Sequence, residues 1–184
     1  FDITMDSTAF GDRSGLFSFD TDDVDEATFN LLLHGQVSNV VIIDNGDADF
    51  SATAGFETYT TGVNLGASGY EDDIAGAIPN QPGNTPAPAG TDTATWTFSG
   101  LADGFYQVST TWPALYNRAA DAPFSLDGGA GAFALEVDQT LVPSSFAEDG
   151  TAWFDLNTSF EVVGGVLTVT LTNDADSAPR DHFD

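Results

Sequence analysis

Apolar and polar residues alternate with a period of two in many short stretches of this chain, while long runs of helix-forming residues are absent. Phe1, Ile3 and Met5 alternate with Asp2, Thr4 and Asp6, and residues 28 to 37 put Phe29, Leu31 and Leu33 on one face. The period returns at residues 94–98 and at 104–112, where Tyr106, Val108 and Thr110 oppose Phe105, Gln107 and Ser109. It returns again at 124–126, 132–137, 153–156, 159–163 and 166–172. Side chains of a strand point alternately to opposite faces, so each stretch reads as a strand with one face buried. Turn-forming residues stand between them: Ser99-Gly100, Asp103-Gly104, Asp127-Gly128-Gly129, Asp149-Gly150, Gly164-Gly165 and Asn173-Asp174, with Gly11 to Gly15 read as a turn before residues 16–19. Many short strands at this spacing predict an all-β chain built as an antiparallel β-sandwich.

Residues 64 to 90 break the pattern, being rich in Gly, Pro, Asn and Ala. Pro79, Pro82, Pro86 and Pro88 rule out an interior strand over 78–88, because each removes a ladder donor. The segment reads as a long surface loop, of a kind that is either functional or mobile.

The 184 residues suffice for one mid-sized domain or one domain plus part of a second. Charge narrows the partners: 29 Asp plus Glu stand against three cations, Arg13, Arg118 and Arg180, for a formal net charge of -26. Phosphate neutralisation needs a basic face, so nucleic-acid binding is excluded, and anionic lipid headgroups are an unfavourable target. The absence of lysine also excludes Schiff-base chemistry and isopeptide cross-links. Acidity of this degree can mean disorder, but 41% apolar residues and 15 Phe predict a packed core. A hydrated, lysine-free acidic surface resists salting out, so a marine or halophilic origin would by itself account for the charge. Without cysteine there is no disulfide and no thiolate ligand or nucleophile. The longest apolar runs, Leu31-Leu32-Leu33 and Val40-Val41-Ile42-Ile43, are far below the roughly 20 residues of a membrane helix, so no membrane insertion is expected. The opening Phe1-Asp2, with no basic n-region, reads as a mature or excised piece.

Two resemblances divide the chain near Val40. Residues 1–39, with Arg13-Ser14-Gly15-Leu16-Phe17-Ser18-Phe19, the acidic run Thr21-Asp22-Asp23-Val24-Asp25-Glu26 and Phe29-Asn30-Leu31 through Gly35-Gln36-Val37, resemble the C-terminal half of a choice-of-anchor, Hydin-type immunoglobulin-like repeat. Residues 40–184 resemble the golvesin and xanthan-lyase type carbohydrate-binding-like domain. That likeness rests on Val41-Ile42-Ile43-Asp44-Asn45-Gly46-Asp47, Ala94-Thr95-Trp96-Thr97-Phe98, Gly100 through Val108, Thr111-Trp112-Pro113, Asn117-Arg118-Ala119 and Gly164 through Leu171. The resemblance implies a jelly-roll or immunoglobulin-like sandwich preceded by a few strands of a second one. It also implies a non-catalytic module of a large secreted or surface protein of bacteria. The family usually closes on a strand that would follow Phe183, so the domain is expected to lack its last strand or to have another segment fill its place.

Trp112, Tyr116, Asn117, Arg118 and Asp121 form the leading ligand constellation, since saccharides offer flat CH faces to Trp or Tyr and hydroxyls to amide, guanidinium and carboxylate groups. The residue pattern equally fits Trp112 in the core and Arg118 as a strut satisfying Asp44 or Asp121, and with cations so scarce the strut is favoured. Tyr59 and Tyr70, beside the long loop, are candidates to rim a binding surface, whereas Trp96 and Trp153 lie in alternating segments and are assigned to the core. The acidic runs invite calcium, with Asp22, Asp23, Asp25, Asp44, Asp47 and Asp49 as candidate ligands. Neither run fits the EF-hand spacing, and solvated turns explain them as well. No other cofactor is expected. Asn157-Thr158-Ser159 is an N-glycosylation sequon.

Signals for catalysis are poor. The only histidines, His34 and His182, stand apart, no Gly-x-Ser-x-Gly elbow occurs, and no phosphate-binding loop carries a lysine. The chain is therefore expected to be no enzyme but an extracellular or cell-surface β-module, adhesive, glycan-binding or structural, whose partners are glycans or neighbouring protein subunits. Two alternatives are a subunit of an extracellular filament or layer, a homo-oligomer assembled by strand exchange, and an accessory domain of a polysaccharide-degrading enzyme.

Overall fold

The computed structural model describes residues 11–20, 22, 28–37, 40–60, 70–77, 90–116, 118–148 and 150–175. The chain divides into two compact units, Phe1–Ile42 and Ile43–Asp184.

In the first unit, β1 (Gly11–Asp20) and β2 (Thr28–Val37) form an antiparallel hairpin paired along its whole length, from Gly11 opposite Val37 to Asp20 opposite Thr28. Gly11 to Gly15 are ladder residues rather than a turn, because a ten-residue partner strand offers them a continuous row of donors and acceptors. Alternation gives the hairpin an aromatic face, with ring centroids of Phe17 and Phe19 at 5.8 Å and of Phe19 and Phe29 at 5.1 Å. The opposite face carries the pair Ser18 and Asn30, whose side chains hydrogen-bond at 2.6 Å. The stretch Phe1 to Met5, expected as a strand, lies outside the described residues.

Among its described residues the second unit contains ten strands: β3 (Phe50–Ala52), β4 (Phe56–Thr60), β5 (Asp73–Ala77), β6 (Thr93–Ser99), β7 (Gly104–Thr110), β8 (Ala122–Asp127), β9 (Ala132–Val137), β10 (Phe146–Glu148), β11 (Thr151–Val162) and β12 (Val166–Thr172). They form a five-stranded sheet in the order β3-β6-β12-β8-β9, a three-stranded sheet in the order β10-β11-β7, and the hairpin β4-β5, with antiparallel pairing throughout. The inner residues of the two larger sheets make the core. Ala122, Phe124 and Leu126 of β8, Val137 of β9, and Leu167 and Val169 of β12 come from one; Val108 of β7 and Leu156, Phe160 and Val162 of β11 come from the other. Burial follows the alternation: Ala122, Phe124 and Leu126 are buried while Ser125 and Asp127 between and after them are exposed. Each fully buried aliphatic side chain, such as Leu126 or Val162, contributes on the order of 1.5–3 kcal/mol relative to exposure. The expected all-β sandwich is thus the observed architecture.

Several elements depart from the sequence reading. Residues 153–156 and 159–163 read as separate strands from the alternation, but all except Val163 belong to one twelve-residue strand, β11, whose register against β7 shifts on either side of Asn157. Such irregularities absorb extra residues without ending the strand. The expected loop over 64–90 is not all loop: Tyr70–Asp72 form a short 3-10 turn and Asp73–Ala77 form β5, paired from Phe56 opposite Ala77 to Thr60 opposite Asp73. The Asp-Ile-Ala-Gly-Ala sequence of β5 offers little alternation to read, and the Tyr59 ring lies over Gly76, filling the space its missing side chain leaves. Residues 61–69 and 78–89 lie outside the described residues. No helix among those described is long and apolar enough to cross a membrane.

Candidate functional site

Local geometry on the three-stranded sheet follows from where β11 aims its side chains. Phe154 and Leu156 point into the core, so alternation turns Trp153 and Asp155 to the outer face. The expectation that Trp153 is a core residue is corrected by this phase. On that face Trp153 sits opposite Phe146 of β10, with ring centroids at 6.3 Å and planes only 8° apart. Tyr70, at the start of the 3-10 turn before β5, approaches the same indole at 5.7 Å, tilted by 55°. Phe146 is 39% exposed, and Trp153 and Tyr70 are half-buried. Three aromatic rings from separate segments therefore share one partly open face, and Phe146 is a member that alternation in so short a strand could not reveal.

Polar groups lie along the same strand. The Asp155 carboxylate accepts hydrogen bonds at Oδ1 from Ser109 Oγ (2.7 Å) and from Gln107 Nε2 (2.8 Å), both on β7. The backbone N–H of Asp155 donates to Ser145 Oγ at 3.0 Å, and Ser145 N–H donates to the Trp153 carbonyl at 2.9 Å. The carboxylate is thus fixed beside the aromatic rings by side chains of one neighbouring strand and the backbone of another segment.

A second polar group gathers around Arg118. Its guanidinium is half-buried, among the described residues its buried Nη2 has no hydrogen-bond partner, and desolvation lowers its pKa below the usual value, a fall that the nearby Tyr59 hydroxyl opposes. Tyr59 responds in turn: burial raises its pKa, Glu57 adds to the rise through charge and a hydrogen bond, and Arg118 opposes it. Residues 59 and 118 meet although they are far apart in sequence. Trp112 packs against Phe154 at 5.6 Å and donates its indole N–H to the Leu141 carbonyl at 3.0 Å, so packing occupies its ring and its polar edge. Tyr116 is 65% exposed, Asp121 is half-buried with partners of its own, and Asn117 lies outside the described residues.

Two of the acidic candidates share one turn. Asp44 N–H donates to Asp47 Oδ2 at 2.8 Å and Asp47 N–H to the Asp44 carbonyl at 3.1 Å, closing a turn on itself. Burial raises the Asp44 pKa, and Asp73 and Glu71 add to it. Asp49 and Asp22 are exposed, and Asp23 and Asp25 lie outside the described residues. Among the described residues no three His, Cys, Asp or Glu side chains gather closely enough to hold a metal ion. Asn157 sits at the irregularity of β11, where its Oδ1 accepts from the Ser159 N–H at 2.8 Å.

Residues 41–180 match the family model of the Golvesin C-terminal domain. A xanthan lyase from Bacillus sp. (strain GL1) is 29% identical over 141 residues, which cover 76% of this chain and 13% of that protein. The structure of a Paenibacillus xanthan lyase is similar in fold, with a TM-score of 0.56 and 24% identity over 84% of this chain and 14% of that one. The chain therefore spans only a small fraction of the length of both relatives.

Proposed function

The chain belongs to the Golvesin C-terminal domain family, and from that premise we propose that it serves as a non-catalytic, extracellular glycan-binding module within a larger bacterial surface or secreted protein. The observation that carries this reading is the partly open aromatic face of Trp153, Phe146 and Tyr70 on the outside of the three-stranded sheet. Flat rings held by a rigid sheet meet the CH faces of pyranoses, and their burial against sugar releases water from both surfaces. The likeness to one segment of two xanthan lyases supports a role beside polysaccharide-acting machinery.

The test is binding of the whole chain to a panel of immobilised polysaccharides. Tyr70→Ala is expected to weaken retention while leaving the melting temperature unchanged, because Tyr70 is half-buried at the rim of the face and outside the core cluster. Retention of no polysaccharide by the unaltered chain would count decisively against the reading.

A further inference from the structure

We propose that this face selects uncharged pyranose chains and rejects polyuronates, with a sugar ring lying on Trp153 and its hydroxyls donating to the Asp155 carboxylate. The inference rests on the glycan-binding reading and adds to it the chemical class of the ligand. Residues two apart on a strand share a face and stand about 6.6 Å apart, at about 3.3 Å per residue. A pyranose centred on the indole thus has its equatorial hydroxyls within reach of Asp155. Both hydrogen bonds that the carboxylate accepts from Ser109 and Gln107 converge on Oδ1, and among the described residues nothing donates to Oδ2. A fixed acceptor of this kind suits hydroxyl donors, and an ionised carboxylate accepts more strongly than a neutral group.

Charge supplies the selection. A uronate seated on Trp153 would bring its carboxylate against Asp155, and the molecule behind that contact carries -26 with only three arginines. Arg118, the one cation of the second unit among the described residues, is half-buried and faces Tyr59. Repulsion between like charges in the same site weakens binding of a uronate, whereas an uncharged ring loses nothing to it. Cross-strand placement of Phe146 beside Trp153, with nearly parallel planes, extends the apolar surface beyond one ring and so fits a chain rather than a single sugar.

The experiment is affinity electrophoresis of the full 184-residue chain through gels containing an uncharged β-glucan, an uncharged mannan or polygalacturonate. Each is run at about 0.02 M and about 0.5 M NaCl, conditions that bracket weak and strong screening. Retardation by at least one uncharged polymer, equal at both salt concentrations, and none by polygalacturonate at low salt, is expected. Trp153→Ala should weaken that binding by about tenfold or more, the scale of one aromatic stacking contact, and Asp155→Asn should weaken it several-fold. Phe146→Ala, at the more exposed ring, provides the same reading if the Trp153 variant melts early. Polygalacturonate retardation at low salt as strong as that by the uncharged polymers overturns the charge selection. Uncharged-polymer binding that survives Trp153→Ala and Phe146→Ala in folded protein overturns the site while leaving the glycan reading in place. Failure of every polymer to retard the unaltered chain removes both.

Discussion

Asp44 shows how a single residue can work against the fold that holds it. Partial burial raises its pKa above 3.8, and the nearby Asp73 and Glu71 push the same way, while the backbone N–H groups of Asn45 and Gly46 oppose them. A carboxyl with a raised folded pKa is protonated more readily in the folded state, so stability is fully present below about pH 3.8 and is lost as pH rises through the folded value. Asp44→Asn, which keeps an acceptor for those N–H groups, is therefore expected to raise the melting temperature at pH 7. The difference should vanish below about pH 3.8 in melts followed by circular dichroism; a variant that melts lower at pH 7 would refute the account. Asp92 is the contrasting case. It is 8% exposed, and its Oδ1 accepts from Thr53 Oγ1 at 2.7 Å. Its backbone exchanges bonds with Asn173 at 3.1 Å, and a side chain at Gly55 would collide with its carboxylate. The spacing of Thr53, Gly55, Asp92 and Asn173 carries no local pattern, so this polar contact was not legible in the sequence.

At the scale of elements, the two sheets are joined where β8 ends against β11. Asp127-Gly128-Gly129 reads as a turn in the sequence, and its backbone does more than turn. The Val163 N–H donates to the Gly128 carbonyl at 2.7 Å, Gly129 bridges to Val162, and Asp127 Oδ1 accepts from the Gly129 N–H at 3.0 Å. A Cβ on Gly128 would lie 2.6 Å from the Glu161 carbonyl oxygen and 2.8 Å from the Phe160 ring. Gly129 adopts φ of 79°, a left-handed conformation that side-chain-bearing residues resist. Gly128→Ala should force the sheets apart and cost about 1–3 kcal/mol, the scale of overpacking in a filled core. Urea titration of the variant checks this, and an unchanged midpoint would show that the sheets can yield there. Strands of six residues or more were visible, β1 only in its second half, because alternation needs several repeats to be recognised. The three-residue strands β3 and β10 and the five-residue β4 and β5 were not.

For the whole molecule, charge is the dominant long-range term. With -26 on 184 residues, mutual repulsion opposes compaction, and salt screens it over a Debye length of about 10 Å at 0.1 M. The melting temperature should therefore climb steadily between about 0.02 M and about 0.5 M NaCl, flattening once screening is complete. A melting temperature indifferent to salt in scanning calorimetry would mean that the acidic groups are spaced too widely to interact. The same surface charge is what turns an aromatic face into a selective one, because apolar stacking is indifferent to salt and repulsion is not.

The sequence alone determined the class of the fold, since period-two alternation and Gly-rich turns follow from local backbone geometry and are written in neighbouring residues. It likewise determined the absence of a basic face, lysine chemistry and thiol chemistry, which composition decides without any fold. The phase of each strand was decided only by the tertiary structure. Trp153 and Phe154 are adjacent and both aromatic, and nothing local says which faces inward; packing against Trp112 takes Phe154 and leaves Trp153 outside. Phe146 reaches that indole across the short β10–β11 hairpin, whereas the meetings of Tyr70 with Trp153 and of Tyr59 with Arg118 join segments far apart in the sequence. The last two contacts come from the packing of distant segments, which short-range sequence does not encode.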